Sequence, residues 1–105
     1  MRNEYIYKPT RTKKLMGFVA VQMKLMPDSP SANLKEIEKH AERIITSMHK
    51  TLINVVEEEI AFGLKAMMFS FAWNDEIEIE RLESELAKIE HVSSVEILDV
   101  RKAFG

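Results

Sequence analysis

Three histidines, two carboxylate series and an alternating pair of phenylalanines are the side chains of this sequence with chemistry to offer. A helix chelates a metal through imidazoles four residues apart, and His40 and His49 stand nine apart. With His91 they are expected to be solvated. The sequence contains no cysteine, which excludes a disulfide, a thiolate metal site and a thiol nucleophile. Glu57-Glu58-Glu59 and the series from Glu76 to Glu85 would act as general acids only where surroundings shift their pKa. Their polar neighbours mark exposed faces instead. A phosphate cradle needs clustered glycines, and Gly17, Gly63 and Gly105 are scattered. Phe69 and Phe71 alternate as a base-stacking platform would, but the basic glycine–aromatic signature of RNA readers is missing around them. Of the seven methionines, Met23, Met48 and Met68 fall on expected core faces.

The chain has 105 residues, the size of one domain. Its net charge of −2 is unevenly spread. Residues 1–15 hold five basic groups (Arg2, Lys8, Arg11, Lys13, Lys14) against Glu4, a balance of +4. The rest is net acidic and repels phosphate backbones, so no direct nucleic-acid binding is expected. No apolar run approaches the ~20 residues that span a bilayer, and the start, with no apolar stretch behind its charge, is not expected to be a secretory signal. A cytoplasmic protein without membrane contact is expected.

Positioning falls to six elements. Residues 1–15 lack periodicity and form an expected basic N-terminal extension; Met16, where the pattern changes, is a candidate initiator. The domain is expected over 16–105. Between Leu15 and Met26, Val19, Val21, Met23 and Leu25 alternate with Ala20, Gln22 and Lys24, the period of a strand. Pro27 and Pro30 end it. Asn33 offers an N-cap oxygen with Glu36 three residues on. Leu34, Ile37, Ala41, Ile44, Ile45 and Met48 then form the apolar stripe of a helix ending near Lys50. A second strand starts at Leu52 and runs out into a loop at Ala61-Phe62-Gly63. Leu64 to Trp73 is an apolar strand with both faces at least partly covered. Asn74-Asp75 is expected to cap a second helix, with Ile79, Leu82, Leu86 and Ile89 inward. Val92–Val100 closes the series as a strand, Val95 and Ile97 on one face, Leu98 and Val100 on the other.

The order β-α-β-β-α-β predicts an α+β, ferredoxin-like two-layer sandwich: a four-stranded antiparallel sheet with both helices on one face. Such a fold hosts many functions. Metal chaperones of this shape need cysteines. Acylphosphatase-like catalysis needs an arginine in a glycine-containing loop, where this chain has Pro27-Asp28-Ser29-Pro30. A small-molecule regulatory domain and an RNA-binding module using Phe69 and Phe71 are the alternatives.

Three segments together resemble the archaeal elongation factor 1-beta family. They are Val21-Gln22-Met23-Lys24-Leu25-Met26-Pro27-Asp28-Ser29-Pro30, then Glu57-Glu58-Glu59-Ile60-Ala61-Phe62-Gly63-Leu64-Lys65, then Val92-Ser93-Ser94-Val95-Glu96-Ile97-Leu98-Asp99-Val100-Arg101. The likeness runs from about Met16 to Lys102. It implies a translation factor, not an enzyme and without cofactor, that promotes exchange of GDP for GTP on elongation factor 1-alpha by disturbing its nucleotide and magnesium site. A monomer is expected. The resemblance implies a partner-binding set of Ala61, Phe62 and Gly63 in the loop and Asp99, Arg101 and Lys102 at the end of the last strand. In eukaryotic relatives a loop aromatic packs on the partner, and Phe62 matches it. The near-terminal lysine of those relatives aligns with no lysine here; Arg101 or Lys102 is expected to supply the charge. Loop and terminus are expected beside each other on one docking surface.

Overall fold

The computed structural model describes residues 17–102. The extension at 1–15, the candidate initiator Met16 and the terminal residues 103–105 lie outside the described residues. The elements are β1 (Phe18–Pro27), α1 (Leu34–Met48), β2 (Ile53–Ala61), β3 (Leu64–Asn74), α2 (Ile79–Ala87) and β4 (Val92–Lys102). They form one sheet in the order β2-β3-β1-β4, with every neighbouring pair antiparallel. This is the expected α+β ferredoxin-like sandwich. No helix among the described residues is long and apolar enough to cross a membrane.

Alternation sets the layers. Val21, Met23 and Leu25 of β1 and Met67, Phe69, Phe71 and Trp73 of β3 point to one side. There they form a single buried cluster with Ile37, Ala41 and Ile45 of α1 and Leu82 and Leu86 of α2. Burying a side chain of this size contributes about 1.5–3 kcal/mol, so this layer holds the two ends of the sheet in fixed relation. The opposite face carries Gln22, Lys24, Ser70 and Met68. Met68 therefore lies outside the core and Met67 takes the place expected for it, because side chains one residue apart on a strand face opposite ways. On that outer face Ala66 is fully buried, a small residue between longer neighbours.

The asparagine cap of α1 forms as expected: Asn33 Oδ1 accepts from the Glu36 amide at 3.2 Å. At the other end His49 N–H donates to the Ile45 carbonyl at 2.9 Å, so the helix stops two residues short of Lys50. α2 begins later than Asn74-Asp75 suggests. Asn74 caps a turn instead, accepting from the Glu76 amide at 2.9 Å, while Trp73 Nε1 donates to the Ile77 carbonyl at 2.9 Å. That indole bond fixes a connector, and Glu78 becomes the residue before the helix. In β4 the pairing jumps from Met23↔Ile97 to Gln22↔Asp99, leaving Leu98 as an extra residue. This bulge resets the alternation. Val100, expected opposite Val95 and Ile97, consequently pairs with Val21 and joins the helix side. It shares an apolar cleft of about 270 Å3 with Val19, Val21, Trp73, Ile77 and Ile79.

On α1, burial lifts the Glu42 carboxyl above its usual range, helped by the charge of Glu38 and a hydrogen bond with it. The folded state thus holds this proton more tightly than the unfolded chain. The penalty is full above the raised pKa and disappears as pH falls below the ordinary carboxylate range. Glu42→Gln is expected to gain about 0.2–0.5 kcal/mol at neutral pH, the size of a like-charge pair one helical turn apart. Urea midpoints should show that gain at pH 7 and lose it in acid.

Candidate partner-binding surface

The connection between β2 and β3 is shorter than its sequence suggests. Ala61 pairs directly with Leu64, so Phe62 and Gly63 alone make the turn. Their φ angles are +54° and +81°. Two central residues with positive φ are the signature of a type I′ hairpin, whose twist matches that of the strands it joins. Gly63 is suited to this by its missing Cβ. A methyl group added there would sit 3.5 Å from Pro30 Cβ, an ordinary contact, so the glycine answers to backbone angle and not to space. Phe62 has no such excuse. A left-handed non-glycine residue is strained by about 1–2 kcal/mol, and asparagine or aspartate would relieve it. Yet the site holds a phenylalanine, 95% exposed, with the exposed Ala61 and Ile60 beside it.

The turn does not stand free. Pro27, Pro30, Leu34 and Gly63 line one small cleft of about 160 Å3, so the β1–α1 connection lies under the hairpin. That connection is tied in turn to the start of β4. Asp28 N–H donates to the His91 carbonyl at 2.8 Å, and Asp28 Oδ2 lies 3.3 Å from His91 Nδ1. Ser93 Oγ donates to the Pro27 carbonyl at 3.2 Å. Nothing in the sequence marks these contacts except the two prolines, because they join residues more than sixty positions apart.

The basic residues lie elsewhere. Arg101 pairs with Ala20 and Lys102 with Val19, at the start of β1, whereas the hairpin turn sits beyond the other end of that strand. Eight residues of strand rise and two strand spacings separate them, roughly 30 Å. The expected juxtaposition of Phe62 with Arg101 and Lys102 is therefore corrected: in an antiparallel sheet of this order the β2–β3 turn and the end of β4 emerge at opposite ends. Arg101 Nε donates to Asp99 Oδ2 at 2.7 Å, which directs the guanidinium along the outer face of the edge strand. Lys102, one residue on, stands on the alternate face. Asp99 thus orients a cation, while Ala61, Phe62 and Gly63 stay together at the far turn.

Phe69 and Phe71 are 1% and 6% exposed, beneath the two helices. No base can stack on them, and the RNA-binding alternative built on that pair falls. His40 and His91 are exposed; His49 packs its ring edge on Trp73, with centroids 5.7 Å apart. Among the described residues no group of three histidines and carboxylates is placed to hold a metal ion.

An exposed aromatic on a positive-φ turn at one end of the sheet and a cationic strand end at the other stand on a ferredoxin-like α+β sandwich, and that is the class of protein the fold defines. Comparison with known proteins gives that class a family. Residues 20–103 match the family described as the EF-1 guanine nucleotide exchange domain. The chain is 37% identical to elongation factor 1-beta of Methanosarcina barkeri over 81% of this chain and 97% of that protein. It is 38% identical to elongation factor 1-beta of Methanothermobacter thermautotrophicus over 83% of this chain and 98% of that one. Among solved structures the designed protein Foldit4 is similar in fold, with a TM-score of 0.59 at 16% identity over 77% of this chain and 93% of that one. The chain belongs to the EF-1 guanine nucleotide exchange family. It is a guanine-nucleotide exchange factor for elongation factor 1-alpha, and not an enzyme.

Proposed function

We propose that the chain speeds GDP release by acting as a rigid bar that touches its partner in two places. Phe62, with Ala61 and Gly63, is the anchor at one end. Arg101 and Lys102, with Asp99 setting the direction of the arginine, bring positive charge to the magnesium and phosphate site at the other. The observation that carries the reading is the exposure of Phe62 on a backbone conformation that disfavours it. Strain of this kind persists where function uses it, and a bare aromatic is the usual anchor of a protein interface.

The energetics are those of coupling. An exchange factor accelerates release by binding the nucleotide-free partner more tightly than the loaded one. A thousandfold acceleration needs about 4 kcal/mol off the barrier, less than one standard interface supplies. Because the helical layer fixes the separation of the two ends, binding at the Phe62 end delivers the cations at a defined distance. A single chain suffices for such a bar, and a monomer working in the cytoplasm goes with this reading.

The partner loaded with a fluorescent GDP analogue provides the test: adding the chain should accelerate loss of signal in a saturable way, and unchanged release at saturation would sink the proposal. Arg101→Ala combined with Lys102→Ala is expected to lower the maximal release rate by about tenfold, or 1.4 kcal/mol. The half-saturating concentration should change far less, since the anchor lies at the other end.

A further inference from the structure

Only two non-glycine residues among those described have positive φ, Phe62 at +54° and His91 at +73°, and both lie at the same end of the sheet. Between them runs the Pro27–Ser31 connection, bonded to His91 through Asp28 and lining one cleft with Gly63, the neighbour of Phe62. A strained backbone survives where its surroundings over-determine it, and a two-residue hairpin at the tip of a long β-ribbon is by itself poorly braced. Pro30 and Gly63 line the same small cleft, with Pro30 Cβ 3.5 Å from where a Cβ on that glycine would stand. Pro30 is fixed by its own locked φ and by the Asp28 bonds to His91, from backbone to backbone at 2.8 Å and from carboxylate to imidazole at 3.3 Å. His91 takes its unusual conformation where the chain turns from α2 into β4, and there it meets Asp28 with both its carbonyl and its ring.

We propose that Pro30 is a positioning residue for the Phe62 anchor, held in place by the Asp28–His91 clasp. It acts through Gly63 and touches no partner itself. The role rests on the reading that Phe62 docks, and it adds the reason why the finger meets its pocket in one pose. Three connections that are separate in sequence (β1–α1, β2–β3 and α2–β4) thereby work as one platform, and the part that carries the aromatic is preorganised before the encounter. Preorganisation strengthens binding by removing the ordering that would otherwise be lost at docking.

A double-mutant cycle on the full chain tests this, with the half-saturating concentration and the maximal rate of GDP release read separately. Pro30→Gly is expected to raise the half-saturating concentration about fivefold and leave the maximal rate unchanged, and in a Phe62→Ala background to change neither, since an effect exerted through the ring is lost with it. His91→Gly is run beside it, because glycine adopts the same backbone angle without strain while deleting the imidazole. It should raise the half-saturating concentration about twofold without lowering the melting temperature, again only when Phe62 is present. Equal losses with and without Phe62 would show mere structural support and overturn the proposal, as would no loss from either variant. If Phe62→Ala alone has no effect, the docking reading itself has failed; if it has its full effect without coupling to Pro30 or His91, only the positioning role has failed.

Discussion

Phe62→Asn is expected to make the domain more stable and a poorer exchange factor at once. Asparagine before glycine is a preferred occupant of a type I′ turn, since its short polar side chain tolerates a left-handed backbone. Relief of the strain at Phe62 should add about 1 kcal/mol, which raises the melting temperature of a domain this size by about 4–8 °C. Nothing in the fold is lost in return, because the ring is almost wholly in solvent. Docking should suffer heavily. An aromatic anchor contributes about 2 kcal/mol or more, so the half-saturating concentration should rise about 30-fold. Calorimetry and the release assay check the two halves separately. A fall in melting temperature would mean that the ring packs within its own domain, and the anchor would have to be sought elsewhere.

Trp73→Ala should produce the largest loss of stability. The indole is the bulkiest of the fully buried side chains. It packs edge-on against Phe71, with centroids 5.7 Å apart, and donates to the Ile77 carbonyl at 2.9 Å. Truncating a buried tryptophan costs about 3–5 kcal/mol through lost contact and the cavity left behind. A partly buried acceptor loses its donor as well, and the connector into α2 loses the bond that shapes it. Against a total stability of about 5–15 kcal/mol, that is enough to leave a substantial unfolded fraction when the domain is warmed. The melting temperature should drop by about 15–30 °C. Trp73→Phe keeps most of the volume and loses the N–H, so it should fall between the two. A small effect of the alanine variant would contradict the placement of Trp73 at the centre of the core.

Much of this fold is legible in the sequence, because alternation and helical spacing both report burial. Val21, Met23 and Leu25 on β1, and Ile37, Ala41 and Ile45 on α1, are found by period alone. The Asn33 cap is found by its oxygen. The failures have local physical causes. Asn74 has the chemistry of a helix cap, but the indole of Trp73 captures Ile77 and defers the helix to Ile79. A bulge leaves no trace in composition, so Leu98 shifts the facing of Val100 unseen. The proposed anchor, Phe62, is marked in the sequence by resemblance alone, while its positive φ is invisible until it is measured. The relation of Phe62 to Arg101 is lost for a different reason. Distance between two chain positions in a sheet depends on strand order, and a list of strands does not say which end each turn occupies.

The acidic triplet Glu57-Glu58-Glu59 is exposed on β2, and its place there has a consequence for crowded solution. β2 is an outer strand, and its unpaired amides and carbonyls would offer a template to any extended chain that drifted by. Three successive negative charges point to both sides of that rim, so a second molecule bringing its own triplet is repelled before backbone pairing can begin. For a protein that meets a partner and then releases it, such a charged rim disfavours pairing of the edge strand with its own kind.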